Sequence, residues 1–404
     1  MLELTFLPAF PPVFGNLVLT GLILLAGLAL GELFRRVLLL PRFSGYVLAG
    51  LLLGPGTFGV LSAEMLEDAR LLMDIALGLI LFELGSRFDL LWFRRNRWLL
   101  ASGLAEGTLS FVLMFLVLRW LGISSLQAAL AGAIGIGSAA SVLLLVVHDQ
   151  GADGPLTDRA INLTALNNVL AVLSVTMLLG VLHMEYRPGV WALVLHPLYL
   201  LVGSALLGYL AVLVLILLAR WLGKREDLQF ILLVATVLLT VGLAKALQLS
   251  MLISLLVLGV MARNRDRNRD LLPVEFGPTA QALFVLLFVI TGAAITMADL
   301  AAGFWAGLAY VFARFAGKLT GILAFSRLSG LRERRGLLLG LTLMPMSAVA
   351  VVMVEATRRL YPEFGERLAA IVLSAVLVLE IAGPLMTQLS LRAAGETHPG
   401  ARWG

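Results

Sequence analysis

Few residues in the apolar stretches of this 404-residue chain can do chemistry, and they cluster. Two adjacent amides, Asn167 and Asn168, stand in 164-TALNNVLAVL-173. Glu106 stands in 103-GLAEGTL-109, and Arg314 and Lys318 stand one helical turn apart in 312-FARFAGKLTG-321. Ser138 and Ser141 lie in 132-GAIGIGSAAS-141, and Ser347 lies in 342-TLMPMSAVA-350. Amide carbonyls and hydroxyls offer hard oxygen ligands to Na⁺ or K⁺, but they carry no charge and cannot trade the cation for a proton. The same amides can instead hydrogen-bond backbone freed by a broken helix. Charged groups inside a membrane segment pair, snorkel or act, so Glu106, Arg314 and Lys318 are candidates for moving charge. Lys318 is a candidate titrating group in its own right, with snorkelling toward the nearby loop as the alternative.

Other ionisable positions carry weaker claims. Asp74 and Glu83 fall on opposite faces of an ideal helix at about 100° per residue and do not make one site. Glu83, in 82-FELG-85, reads as structural; Lys245 reads as snorkelled, and Glu380, in 379-LEIAGP-384, as a cap or pair. His148, His183, His196 and His398 have no metal-ligand spacing, and no phosphate-binding glycine loop or nucleophile elbow is present. No enzyme activity or cofactor is expected. With no cysteine, disulfides and thiolate chemistry are excluded.

The elements that position these groups must be membrane helices. The chain is 60% hydrophobic and 14% charged, with a mean hydropathy of +0.99, against about a quarter charged in a soluble domain. Its net charge of +5 is explained by basic cytoplasmic loops, without nucleic acid. About thirteen apolar spans are expected near 16–34, 44–55, 70–88, 98–118, 125–148, 158–183, 193–219, 228–247, 249–262, 277–297, 302–325, 336–357 and 367–390. The first reads as a retained span, because its basic residues Arg35 and Arg36 follow it and no cleavage site does.

Basic residues crowd the odd-numbered gaps: Arg35, Arg36 and Arg42; Arg94, Arg95 and Arg97; Arg220, Lys224 and Arg225; Arg263, Arg265, Arg267 and Arg269; Arg332, Arg334 and Arg335. The others are basic-poor or acidic, as with Glu64, Glu67 and Asp68, although Arg358, Arg359 and Arg367 run against the trend. The N-terminus is therefore expected outside and the C-terminus in the cytoplasm. The 263-RNRDRNRD-270 run reads as a topogenic loop in preference to a lipid-binding patch.

Two spans look broken. The fifth carries 132-GAIGIGSAAS-141, rich in glycine and serine, and the twelfth carries Pro345, which removes a backbone donor. Seven spans separate them, and an odd offset reverses direction. The chain thus reads as one transporter domain, 1–404, with inverted five-helix repeats at about 44–183 and 249–390 and a short tail at 391–404. In that repeat Glu106 occupies the counterpart of the span bearing Arg314 and Lys318, and it can face either.

The segments 45-GYVLAGLLLGPGTFG-59, 78-GLILFELGSRFDL-90, 286-LLFVITGAAI-295 and 312-FARFAGKLTG-321 resemble the monovalent cation:proton antiporter superfamily, nearest its bacterial second branch of sodium or potassium/proton exchangers. The resemblance implies an all-α polytopic fold of about thirteen helices with two interrupted, crossing helices, elevator-type alternating access, a homodimer, and a bacterial inner membrane location. Many relatives append a nucleotide-binding domain; the short tail after Ala393 implies none here. In that family the amide positions carry Asn-Asp or Asp-Asp, whose second carboxylate binds cation and proton alternately; here it is Asn168. Asn167 resembles the electroneutral members, while Lys318 matches the basic residue of the electrogenic ones.

Three readings follow. One is a cation:proton antiporter with its carboxylate displaced, Glu106 being the first choice, although a structural Glu–Arg pair is the commoner use of such a residue. Another is an anion transporter, with Arg314 and Lys318 at the N-termini of the half-helices. The third is a membrane scaffold that no longer transports.

Overall fold

The structure, a computed structural model, describes residues 16–38, 42–62, 65, 70–185, 190–266, 271, 278–293, 297–346 and 348–397. Ser347 and the loop residues Glu64, Glu67, Asp68, Arg267, Arg269 and His398 lie outside them, as do the side chains of Ser141, His148, His183, His196 and Arg359.

The chain is nearly all helical, as its apolar spans demand: in lipid, backbone amides must be satisfied within the segment. Six helices among the described residues are long and apolar enough to cross a membrane. The helices fall into two compact units. The smaller unit holds α1 (Asn16–Leu33), followed by a π-helical turn (Phe34–Leu38), α2 (Arg42–Leu53) and α12 (Pro278–Ala293). Glu32, near the end of α1, accepts from Arg35 at 3.0 Å and Arg36 at 2.6 Å and lies 3.1 Å from Arg42, which gathers one basic loop around a carboxylate.

The larger unit runs from Asp74 within α3 (Arg70–Ser86) through α4 (Leu90–Arg95), α5 (Arg97–Trp120), α6 (Ser125–Ile136), α7 (Ala140–Asp149), α8 (Pro155–Glu185), α9 (Val190–Leu222), α10 (Glu226–Ala246) and α11 (Met251–Arg265). It then resumes with α13 (Met297–Ser326), α14 (Glu333–Thr342), α15 (Ala348–Leu360) and α16 (Pro362–Ala394). Two pairs of short helices stand where the sequence shows breaks. The twelve residues of α6 rise about 18 Å at about 1.5 Å each, roughly half of a bilayer core. Residues 137–139 are non-helical between α6 and α7, and 344–346, after the turn at Leu343, are non-helical between α14 and α15. The breaks bond to each other: Ala139 N–H donates to the Pro345 carbonyl at 2.8 Å, and the Ser138 hydroxyl donates to the Leu343 carbonyl at 2.9 Å.

Helices α5 and α13 pack against one another with almost no space between their backbones. A Cβ placed on Gly317 would collide with the Ser110 backbone, and one on Gly321 would collide with the Glu106 backbone. Small residues permit such close approach, and here it brings Glu106 up against the face of α13 that carries Lys318. The helix bearing the amide pair, α8, is held from a distance. The Glu396 carboxylate, just past the end of α16, accepts from the Leu156 and Thr157 amides, each at 2.8 Å, and from the Thr157 hydroxyl at 2.9 Å. It satisfies amides of the first turn of α8 that have no intrahelical partner.

Gly321→Val is expected to destabilise the fold by about 1–3 kcal/mol or more through overpacking. Gly242→Ala, where an added Cβ would meet nothing within 4 Å, is expected to be neutral. Thermal unfolding in detergent distinguishes them; equal midpoints would contradict the close crossing.

Candidate functional site

Helix α13 presents Tyr310, Arg314 and Lys318 at one-turn intervals, so all three lie on one face. That face meets the end of α6. Tyr310 donates its hydroxyl to the Ala131 carbonyl at 2.8 Å, and Lys318 donates to the Ile136 carbonyl at 3.1 Å. Arg314 spans both breaks: Nε donates to Gly135 O at 2.9 Å, one terminal nitrogen to Met344 O at 2.5 Å, and the other to Gly137 O at 2.7 Å and Leu343 O at 3.4 Å. All three side chains are fully buried. The last carbonyls of a helix have no intrahelical partner and carry the negative end of its dipole, so a planar guanidinium at the ends of α6 and α14 answers both needs.

This corrects the placement on which the anion reading relied. Arg314 meets the C-terminal ends of the half-helices α6 and α14 and Lys318 that of α6, not N-termini; Arg314 donates to backbone carbonyls, and Lys318 to the Ile136 carbonyl and the Glu106 carboxylate. Nor does Lys318 snorkel. It is buried and pairs with Glu106 Oε1, which is also fully buried. Lys245 does not simply snorkel either: it pairs with the nearly buried Asp74 across α3 and α10. Glu83 pairs with Arg87, the residue just past the end of α3, so Asp74 and Glu83 serve separate partners. Glu380 is buried in α16.

The amide pair braces the broken helix with its donors and leaves its oxygens over. Asn168 Nδ2 donates to the Ser138 carbonyl at 2.8 Å and to the Thr164 carbonyl at 2.9 Å. Two carbonyl acceptors fix which side of that amide is NH₂, so Oδ1 must face the other way. Ser138 gives its hydroxyl proton to Leu343 and accepts from Asn167 Nδ2 at 3.3 Å, which fixes the second amide in the same sense. The donors therefore hold the break in α6, while Asn167 Oδ1 and Asn168 Oδ1, both buried, have no hydrogen-bond partner among the described residues. Thr164 Oγ1 and Glu106 Oε2 are buried and unpartnered in the same way. Thr164 shares a face of α8 with both asparagines, being three and four residues before them.

Buried acceptors without donors cost free energy unless something electropositive meets them, and a dehydrated alkali cation is such a group. Thr164 and Tyr310 were not singled out from sequence. Thr164 had a usable signal, since it opens the Asn-Asn stretch one turn before Asn168. Among the described residues no group of three or more His, Asp or Glu side chains is placed to hold a metal.

Residues 20–392 match the family described as sodium/hydrogen exchanger, transmembrane. Two solved structures of the sodium proton antiporter MjNhaP1 from Methanocaldococcus jannaschii are similar to this chain. One, determined at pH 8, has a TM-score of 0.67 at 17% identity, over 93% of this chain and 95% of its own. The other, an electron-microscopy map, has a TM-score of 0.72 at 15% identity, over 95% and 98%. At these identities the likeness establishes the fold. No curated protein sequence matches.

The buried pair generates a stability test. Removing one partner of a buried ion pair costs about 3–5 kcal/mol, whereas replacing both by apolar groups is often neutral. Glu106→Gln and Lys318→Met are each expected to lower the unfolding midpoint sharply, and Glu106→Leu with Lys318→Met to recover most of it. Single variants that melt like the unmodified protein would show that the two side chains are not paired.

Proposed function

The chain belongs to the sodium/hydrogen exchanger family, and from that premise we propose a monovalent cation:proton antiporter in which the buried Glu106–Lys318 pair replaces the dyad carboxylate. The observation that carries the reading is that pair: fully buried, in contact with the break in α6 through Ile136 O, two residues from the serine that holds both asparagines. Asn167 and Asn168 supply the cation's oxygens and the ammonium of Lys318 holds the proton.

The charges account for exchange. With no cation, Glu106 carries one negative charge and Lys318 and Arg314 one positive charge each, a net of plus one. A cation arriving while Lys318 keeps its proton would make the net plus two. Two unit charges about 6 Å apart at an effective dielectric of about 20 repel by roughly 3 kcal/mol, enough to make cation and proton compete by about two orders of magnitude. If the proton leaves Lys318 as the cation binds, the net stays at plus one and Glu106 becomes the cation's unpaired counter-charge. Arg314 keeps its charge throughout, because its donors are committed to carbonyls. The rest follows the family: thirteen spans in inverted repeats, elevator motion, a homodimer in a bacterial inner membrane, the N-terminus outside and the C-terminus cytoplasmic.

Proteoliposomes holding a pH dye test this. Adding K⁺ or Na⁺ outside the unmodified protein is expected to make the lumen alkaline. Glu106→Gln and the Glu106→Leu, Lys318→Met pair are expected to reduce that response at least about tenfold, the double variant showing that loss of transport is not loss of fold. A double variant that still exchanges cations for protons would remove the pair from the mechanism.

A further inference from the structure

We propose that the asparagine cradle selects the larger alkali cations, K⁺ and Rb⁺, over Na⁺ and Li⁺. The inference rests on the cation site proposed above and names the substrate that its oxygens suit. Three features set the electric field that a cation would meet there. The unpartnered oxygens on α8 are two amide carbonyls and one hydroxyl, all neutral. The carbonyls at the ends of α6 and α14, where helix dipoles would strengthen the field, are already occupied by Arg314. The one carboxylate nearby, on Glu106, stands on α5 and contacts the break through Lys318 and the Ile136 carbonyl; when Lys318 gives up its proton, the carboxylate balances the cation's charge but is not one of the α8 oxygens that would ligate it.

Cation selectivity depends on the number and field strength of the ligands. A full negative charge attracts the smaller ion more strongly, because Coulomb energy rises as the inverse of distance. That extra attraction offsets the smaller ion's tighter hold on its water. Dipolar oxygens gain less from closer approach, so the cost of dehydration decides, and it is lower for the larger ion. Asn168, whose neutral oxygen stands unpartnered in the cradle, is thus a selectivity residue.

The probe is thermal stabilisation of the purified protein by K⁺, Rb⁺, Na⁺ or Li⁺, titrated against choline at constant ionic strength. It reads cation binding whether or not protons move. Half-saturation by K⁺ is expected at a concentration at least about fivefold below that for Na⁺. Asn168→Asp is expected to reverse the order, with Na⁺ stabilising at lower concentration than K⁺, and Asn168→Ala to abolish stabilisation by all four. Equal or tighter binding of Na⁺ by the unmodified chain would overturn the inference, as would an unchanged order in Asn168→Asp. Stabilisation by none of the ions would overturn both this inference and the cation site. A K⁺ preference in a protein that moves no protons in vesicles would uphold the selectivity and refute the antiport reading alone.

Discussion

A membrane helix cannot be broken without exposing carbonyls and amides that lipid will not satisfy, and the architecture of this chain answers that constraint. Two helices break at the same place, each break donating to or accepting from the other through Ala139, Pro345, Ser138 and Leu343. What they cannot satisfy between them is taken by Arg314, by Lys318 and by the donor halves of Asn168 and Asn167. Rigidity and chemistry therefore share residues. The side chains that make the break tolerable also leave two amide oxygens over, turned away from the hydrogen bonds that orient them.

Charge follows from the same constraint. Arg314, committed to helix-end carbonyls, is a fixed positive charge, which makes a second uncompensated cation at the centre expensive. Glu106 compensates for one of the two basic residues of α13, and the close crossing at Gly317 and Gly321 lets it reach. An aspartate at position 168 would put the negative charge next to the ion. With asparagine there, the negative charge sits on another helix and is gated by the lysine it pairs with. On the proposed reading, the binding of the cation is thus separate from the titration that drives it out.

Much of this was legible in the sequence. Glycine with serine in one span and Pro345 in another announced both breaks, because these residues weaken helices wherever they occur. Glu106 could be aimed at Lys318 or Arg314 by counting spans. The choice between them could not be made, since it depends on which backbone groups claim the guanidinium. Nor does sequence tell which end of a half-helix a side chain meets, and so the anion reading set Arg314 and Lys318 at N-termini when they lie at C-termini. The Asp74–Lys245 pair was missed for a similar reason: its partners lie on helices 171 residues apart in the chain. Some helices ran beyond the expected spans, as with Met297–Ser326 for 302–325, because an apolar window stops at the first polar turn while hydrogen bonding does not, and others ended short, as with Pro278–Ala293 for 277–297.

The central claim is that Lys318 surrenders a proton when a cation arrives. The most direct measurement is proton release from the purified protein in weakly buffered detergent solution as K⁺ is added, followed with a pH-sensitive dye. The account requires one proton to appear for each cation bound, and none from Lys318→Met carrying Glu106→Leu. Saturable cation binding that releases no proton, or release that survives in that double variant, would contradict it.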